Sequence, residues 1–284
     1  MNINWYPGHM VKTKKQITED LKLIDVVLEI LDARIPHSSR NPEINEIVKD
    51  KKKIILLNKS DLADDSQNKK WVKYFESLGT PTVLTDSNSG KGINESLKKT
   101  EEIMEETLNQ SAQKGRIGRN IRVVILGIPN VGKSSFINRA SKRTAATVGN
   151  KPGVTKQKQW IRLGGRIELL DTPGVLWPKF ESEEVALNLS YTGTIKDELL
   201  DKTEVAYKLL EYLKQKYTQN LIERYRLNDI SISSTDVEEL MNIIGKKRGA
   251  IIAGIRIDYE KVANIVLGDF RSGKLGRITL EMAM

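Results

Sequence analysis

The sequence predicts an α/β fold in which a mostly parallel sheet carries helices on both faces, followed by a separate all-α domain. Two observations predict it. Up to residue 170, short apolar runs of strand length alternate with amphipathic helical patterns, an order typical of parallel sheets covered by helices. After Pro178 the helical patterns continue with little strand signal. The predicted domains are therefore residues 1–178 and residues 179–284.

Each predicted strand is an apolar run, and each predicted helix has apolar residues at helical spacing. The strands are predicted at 25–31, 53–57, 82–84, 121–126, 160–163 and 167–170, the last two as a hairpin. The helices between them are predicted at 42–49, 68–78, 93–108 and 134–140. Residues 109–119 are polar and contain glycine, so we interpret them as a joining segment. Helices of the second domain are predicted at 184–191, 202–217, 221–225, 236–244 and 259–268.

Composition limits the function classes. At 284 residues the chain is long enough for two domains, and its net charge of +9 favours a polyanionic partner, either nucleic acid or an anionic membrane surface. No apolar run approaches the ~20 residues of a membrane span, so stable membrane insertion is not expected. The absence of cysteine excludes disulfides and thiolate metal sites and fits a cytoplasmic protein.

Three nucleotide motifs follow predicted strands, in an unusual order. Asn58–Asp61 (NKSD) comes first, residues 127–134 (GIPNVGKS) second and residues 171–174 (DTPG) third. Ligands bind at the carboxyl ends of parallel strands, where all three motifs lie. In small GTPases the phosphate loop comes first and the guanine-reading motif last. Because a sheet tolerates circular permutation, the order predicts a circularly permuted P-loop GTPase with a Ras-like sheet.

The phosphate loop is expected to bind phosphate oxygens through backbone N–H groups that its glycines allow to point inward. Lys133 is expected at the β- and γ-phosphates, and the Ser134 hydroxyl at a magnesium ion. The residues of this loop that we predict to bind GTP or GDP are Asn130, Val131, Gly132, Lys133, Ser134 and Ser135.

Guanine specificity is expected from residues 58–61. The Asp61 carboxylate would accept hydrogen bonds from the guanine ring N–H and amino group, which adenine does not present together. Asn58 would contact the base edge and brace the phosphate loop, and the Lys59 stem would pack over the ring. The predicted base site also includes Ser60, Asp86 and Ser87.

The third motif and the segment before it are expected to complete the γ-phosphate side of the site. Asp171 would contact magnesium through water, the Gly174 N–H would bind the γ-phosphate, and Thr155 would ligate magnesium. Where Ras-type enzymes have a water-orienting glutamine after DxxG, this chain has Val175. Catalysis therefore needs another polar group, a partner molecule or a bound ion; the chain has 2 histidines, one of which is His9.

The chain resembles the ribosome biogenesis GTPase A family of bacterial circularly permuted GTPases, also called YlqF. The resemblance rests on WYPGHM at 5–10, LDARIP at 31–36, the NKSD motif, GIPNVGKSS at 127–135, KPGVT at 151–155 and DTPGVLWP at 171–178. It implies GTP hydrolysis coupled to late maturation of the large (50S) ribosomal subunit. It further implies a catalytic role for His9 and a potassium ion held by Asn130.

The resemblance also implies that the helical domain contacts ribosomal RNA. Its basic residues include Lys246, Lys247, Arg248, Arg256, Arg271, Lys274 and Arg277. An alternative that the sequence leaves open is a GTP-dependent RNA- or membrane-binding module with negligible turnover, because Val175 cannot orient a water. The oligomeric state is not readable from the sequence, and a monomer is favoured.

Overall fold

The structure, a computed structural model, describes residues 18–115, 118–145, 160–170, 182–227, 231–254 and 256–283. These residues form two compact units. One contains the described residues up to 170 together with 281–283, and the other contains the described residues from 182 to 280. Within the described ranges, no helix combines the length and hydropathy needed to cross a membrane.

The first unit is built on a six-stranded sheet with the order β3-β2-β1-β4-β6-β5. Neighbouring strands from β3 to β6 are parallel, and only the edge strand β5 runs antiparallel to its neighbour. This confirms the predicted mostly parallel sheet. The strands are β1 (Val26–Asp32), β2 (Lys52–Asn58), β3 (Thr82–Leu84), β4 (Ile121–Leu126), β5 (Trp160–Gly164) and β6 (Ile167–Leu170).

Helices cover both faces of this sheet, since all residues of the central strand β1 are buried. On α2, the side chains of Trp71 and Phe75 pack against Leu31 and Leu57 of neighbouring strands. The helices whose two ends both lie in the described part of this unit are α1 (Pro42–Val48), α2 (Asp65–Ser77), α3 (Ile93–Gln113) and α4 (Lys133–Ala145).

The joining segment predicted at 109–119 is wrong in its first part, because α3 continues to Gln113. Residues 109–113 contain no glycine or proline, so nothing in them ends a helix. The helix ends before Gly115, whose φ of +78° lies in the left-handed region that favours glycine.

The second unit is mainly helical, and side-chain caps mark most of its helix starts. Ser182, Asp201, Asp236 and Asp258 each accept a hydrogen bond from a backbone amide of the first turn, which satisfies a donor that the helix leaves unpaired. The helices are α5 (Glu183–Tyr191), α6 (Lys202–Lys216), α7 (Thr218–Tyr225), α8 (Val237–Arg248) and α9 (Tyr259–Arg271).

The all-α prediction for this unit is wrong in one respect, because a small antiparallel ladder connects α8 and α9. It pairs β7 (Ile251–Ile252) with β8 (Arg256–Ile257). Strands of two residues are too short to display the alternation from which a strand is predicted.

Residues 281–283 belong to the first unit, although the predicted boundary placed them in the second. The Glu281 carboxylate accepts hydrogen bonds from the backbone amides of His37 (2.6 Å) and Ser38 (2.9 Å) and from the Ser38 hydroxyl. The Glu281 carbonyl accepts one from Trp71 Nε1 (3.0 Å). Burial raises the pKa of Glu281, and the hydrogen bonds from Ser38 and His37 offset this only in part.

Candidate nucleotide site

A cavity of about 300 Å³ opens where the segments after β2, β3 and β4 meet. These strands are parallel members of one sheet, so their carboxyl ends lie at the same edge. The cavity is lined by Asn58, Lys59, Asp86, Ser87, Asn88, Asn130, Gly132, Lys133, Ser134 and Ser135. Of these, only Asn88 was not predicted from the sequence, although it directly follows the predicted Asp86 and Ser87.

The phosphate loop between β4 and α4 depends on two glycines that no other residue can replace without movement. A Cβ at Gly127 would lie 2.5 Å from the Ile30 carbonyl oxygen, and a Cβ at Gly132 would lie 2.3 Å from Asn58 Nδ2. Gly132 has a φ of +99°, and Asn130 has the left-handed φ of 62°. The loop therefore packs closely on β1 and β2 while its backbone turns along the cavity.

Lys133 begins α4 and lines the cavity, but its ammonium turns back to the loop itself. Its Nζ donates to the carbonyl oxygens of Gly127 (3.0 Å) and Ile128 (2.6 Å). Burial lowers the pKa of Lys133 to about 8, because desolvation disfavours the charged form. A phosphate group in the cavity would give this ammonium a negatively charged partner and so favour its charged form.

Asn58 is the brace between the phosphate loop and the loop after β3. Its Nδ2 donates to the Val131 carbonyl (2.7 Å), and its Oδ1 accepts from Thr85 Oγ1 (3.2 Å), Ser87 N (3.0 Å) and Ser87 Oγ (2.8 Å). The residue is only 1% exposed. One buried amide therefore fixes the distance between the two loops that line the cavity.

The loop after β3 is held in shape by the Asp86 carboxylate. It accepts from the backbone amides of Asn88 (2.9 Å) and Ser89 (3.3 Å). Burial opposes ionisation, but the hydrogen bonds from Ser89 and Asn88 outweigh it and hold the pKa of Asp86 below its usual value. Arg139 of α4 donates to the Ser89 carbonyl (2.6 Å) and so ties this loop to the helix that begins at the phosphate loop.

Lys59 lies on the cavity wall and pairs with a buried carboxylate. Its Nζ is 2.9 Å from Asp32 Oδ2, and Arg34 contacts the same carboxylate through Nε (2.9 Å) and Nη2 (2.7 Å). Burial opposes ionisation of Asp32, but the charges of Arg34 and Lys59 outweigh it and hold its pKa well below the usual range. Sequence reasoning missed this pairing, because the three residues lie on two segments separated by α1.

Three further predicted residues are described but do not line the cavity. Ser60 is buried, and its carbonyl accepts a hydrogen bond from Asn68 Nδ2 (2.9 Å). Asp61 is exposed on the segment after Lys59. Val131 is buried and contributes its carbonyl to the Asn58 brace. The remaining predicted residues, His9, Thr155, Asp171 and Gly174, lie outside the described part of the chain.

The second unit has a basic cavity of about 730 Å³ where the ends of α7, α8 and α9 meet. It is lined by Glu223, Arg224, Tyr225, Arg226, Lys247, Arg248 and Lys274. Of the basic residues considered from the sequence, Lys247, Arg248 and Lys274 line it. Arg271 does not, because both ends of its guanidinium pair with Asp197 (2.9 and 2.8 Å).

Part of this cavity is fixed by contacts within the unit. Arg224 pairs with the buried Asp269 carboxylate (2.8 and 2.7 Å), and Arg248 lies over the Tyr225 ring, 5.3 Å from its centroid. Lys247 donates to the Arg226 carbonyl at the end of α7. The cavity is therefore a preformed surface with a large excess of positive charge.

Comparison with known proteins agrees with this geometry. A family model described as 50S ribosome-binding GTPase matches residues 122–241. Ribosome biogenesis GTPase A from Bacillus cereus is 46% identical, with 99% of this chain and 94% of that protein aligned. Two solved YlqF structures, one GDP-bound and one GNP-bound from Thermotoga maritima, match with TM-scores of 0.68 and 0.65. They are 26% and 27% identical and cover 94% and 96% of this chain and 98% of each neighbour.

The family-model match contains the phosphate loop but not Asn58–Asp61, which precede it in this chain. Together with the parallel sheet, this arrangement confirms the predicted circularly permuted P-loop GTPase fold. The chain is a GTPase and belongs to the ribosome biogenesis GTPase A family.

Proposed function

We propose that the chain couples GTP hydrolysis to late maturation of the large (50S) ribosomal subunit. The observation that carries the proposal is that Asn58 braces the phosphate loop against the loop after β3, so that both loops line one cavity. A site held together in this way joins recognition of the base to recognition of the phosphates. The names of the relatives, among them ribosome biogenesis GTPase A, supply the biological process.

The residues that line the cavity fit a nucleotide with magnesium. Lys133 and the turn at Gly132 present cationic and backbone donors for phosphate oxygens, and Ser134 places a hydroxyl at the start of α4 for the metal. Among the described residues, no group of three or more acidic, histidine or cysteine side chains could hold a metal. Mg²⁺ is usually bound by few protein groups plus substrate phosphates. Thr155 and Asp171 are proposed to complete its shell.

On the base side, we assign guanine recognition to Asp61, with Lys59 stacking on the ring. Asp61 is exposed in this structure, on the segment that continues from the cavity wall. A guanine above Lys59 would cover the carboxylate and pair with both of its oxygens. Adenine would cover it without pairing, and that loss is the basis of the proposed specificity.

Two groups are proposed to replace the missing glutamine. Asn130, whose left-handed φ presents it at the cavity, would hold a potassium ion that offsets charge developing between the β- and γ-phosphates. His9 would orient the attacking water or stabilise charge on the γ-phosphate, a role typically worth ~10²–10⁴-fold in rate.

Multiple-turnover phosphate release, measured with and without purified large subunits, tests these assignments. We expect subunits to raise the rate of the wild-type protein. We expect KCl to give faster turnover than NaCl at equal ionic strength, and Asn130→Ala to lose that difference. His9→Ala should keep GTP and subunit binding but lose most of the stimulation. Rates that are unchanged by subunits would contradict the proposed partner. Full stimulation in folded His9→Ala would remove His9 from catalysis.

The basic cavity of the second unit is proposed to bind phosphates of ribosomal RNA. Five cationic side chains line it against one acidic side chain, and four of them remain when Arg224 is set against its partner Asp269, an excess that suits a polyanion. Sedimentation with large subunits at rising salt tests this. We expect Arg226→Glu with Lys274→Glu to lose most of the binding, whereas Lys196→Glu with Lys216→Glu, of equal charge change outside the cavity, should lose little. If both variants lose subunit binding equally, the protein's net charge and not this cavity accounts for the binding.

A further inference from the structure

A buried ion triad lies directly behind the cavity wall. Asp32 and Arg34 have side chains that are both 2% exposed, whereas Lys59, the third member, is 21% exposed and lines the cavity. Arg34 contacts the Asp32 carboxylate through two side-chain nitrogens and through its own backbone amide (3.1 Å). The Asp32 carboxylate therefore already has a bidentate cationic partner in Arg34 and does not depend on Lys59 for a counter-charge. Its additional contact with Lys59 therefore calls for another explanation.

Asp32 itself is held from several sides. It ends the central strand β1, and its backbone amide donates to Ser39 Oγ (3.1 Å). The loop that carries Arg34 is fixed further along, where Ser38 donates to the Glu281 carboxylate (2.9 Å). The carboxylate is consequently a rigid anchor, and Lys59 is the movable partner.

A lysine side chain has four rotatable bonds and is therefore mobile, so it contacts a ligand at an entropic cost unless another group already holds it in place. Immobilising one such side chain on binding lowers affinity between about 2-fold and 12-fold, and a side chain that is already ordered avoids this loss. We propose that Asp32 is a positioning residue for nucleotide binding, which holds the Lys59 side chain against the cavity wall before the nucleotide arrives. Arg34 in turn holds Asp32. The inference rests on the proposed function, since it assumes that a guanine nucleotide occupies the cavity that Lys59 lines.

A double-mutant cycle on GDP affinity tests the proposal. Asp32→Asn removes the charge but keeps the shape, and Lys59→Met keeps most of the stem but removes the ammonium. We expect Asp32→Asn to weaken GDP binding by about 2-fold to 12-fold in the wild-type background and to have almost no effect in Lys59→Met. The matched control is Glu29→Gln, which removes another buried carboxylate of β1 that pairs with Lys53 (3.1 Å) and Arg40 (3.4 Å) away from the cavity. It should lower stability and leave GDP affinity unchanged.

The possible outcomes separate the inference from the proposed function. If Lys59→Met weakens GDP binding but Asp32→Asn weakens it equally in both backgrounds, the triad is only structural and the inference fails. If Lys59→Met binds GDP as tightly as wild type, the ammonium that Asp32 holds contributes nothing to binding and the inference fails. The proposed base contact of Lys59 fails only if Lys59→Ala, which removes the stem as well, also binds GDP as tightly as wild type.

A second measurement needs no change at Asp32 and covers the case in which Asp32→Asn does not fold. The Lys59 ammonium should give a ¹H–¹⁵N signal in the nucleotide-free wild-type protein, identified by its loss in Lys59→Met, that exchanges slowly with water. Lys70, exposed on α2, is the internal reference. A Lys59 ammonium as mobile as that of Lys70 would overturn the proposal.

Discussion

Replacing Asn58 with alanine should destabilise the first unit and weaken nucleotide binding together. The change removes four hydrogen bonds, two of them to backbone groups, the Val131 carbonyl and the Ser87 amide. The hydroxyls of Thr85 and Ser87 can turn to other acceptors, but the two backbone groups cannot. Leaving a buried backbone group without a partner costs about 1–3 kcal/mol, so we expect a loss of about 3 kcal/mol or more.

For a unit of this size, that loss corresponds to a fall in melting temperature of about 6–12 °C. GDP affinity should fall as well, because the Val131 and Ser87 segments lose the amide that sets their separation. Thermal denaturation and GDP titration of the same preparation measure both effects.

Asn68→Ala is the matched control for this variant. Asn68 is also a buried asparagine of the first unit, but its amide nitrogen makes one hydrogen bond, to the Ser60 carbonyl (2.9 Å). We expect it to cost about half as much, because one buried backbone group loses its partner instead of two, with GDP affinity nearly unchanged. If Asn58→Ala melts no earlier than Asn68→Ala and binds GDP like wild type, the brace has no energetic role and the reasoning is wrong.

Three further variants or conditions probe neighbouring parts of the site. Gly132→Ala places a Cβ 2.3 Å from Asn58 Nδ2, so GDP titration should give a large loss of affinity. The control is Gly79→Ala, which has another positive φ (+75°) but open space around it and should bind GDP normally. Equal GDP affinity in the two variants would contradict the close contact between Gly132 and Asn58. The pKa of Lys133, about 8 without nucleotide, should rise on phosphate binding, so GDP affinity should fall and calorimetry should detect proton uptake as pH increases above 8. Lys133→Arg should remove this dependence of GDP affinity on pH. A wild-type GDP affinity that does not change with pH would refute the coupling to Lys133. Asp61→Asn should shift preference from guanine to xanthine nucleotides in competition binding, because one acceptor becomes a donor; an unchanged preference for GTP would exclude Asp61 as the base reader.

The sheet and its permutation were predictable because they depend on local signals. Apolar runs such as 121–126 mark buried strands, and a motif that directly follows a strand must lie at the sheet edge. For the same reason the sequence predicted that Asn58 and Lys133, which follow two strands of this sheet, would lie in one site. The exposure of Asp61 was not predictable, because the NKSD motif by itself does not show which of its side chains the fold leaves uncovered.

Contacts between distant segments were not predictable, because they leave no periodic trace in the sequence. The partner of Lys59 is Asp32, on a different strand, and the partner of Arg224 is Asp269, on a different helix. In each case the sequence contains many equally plausible acidic residues, and only the packing selects one. The short β7–β8 ladder escaped prediction for a different reason, since two-residue strands carry no alternation.

The anchoring of Glu281 has a consequence for synthesis of the protein. Domains generally fold as units while the chain emerges, the N-terminal one first. Here the first unit is translated first, but it also includes residues 281–283, which follow the helical unit in the sequence. Ser38 and Trp71 are made early, but their acceptor on Glu281 emerges only after residues 182–280 have been translated. A ribosome stalled within the helical segment therefore carries a GTPase unit that still lacks the hydrogen bonds to Glu281.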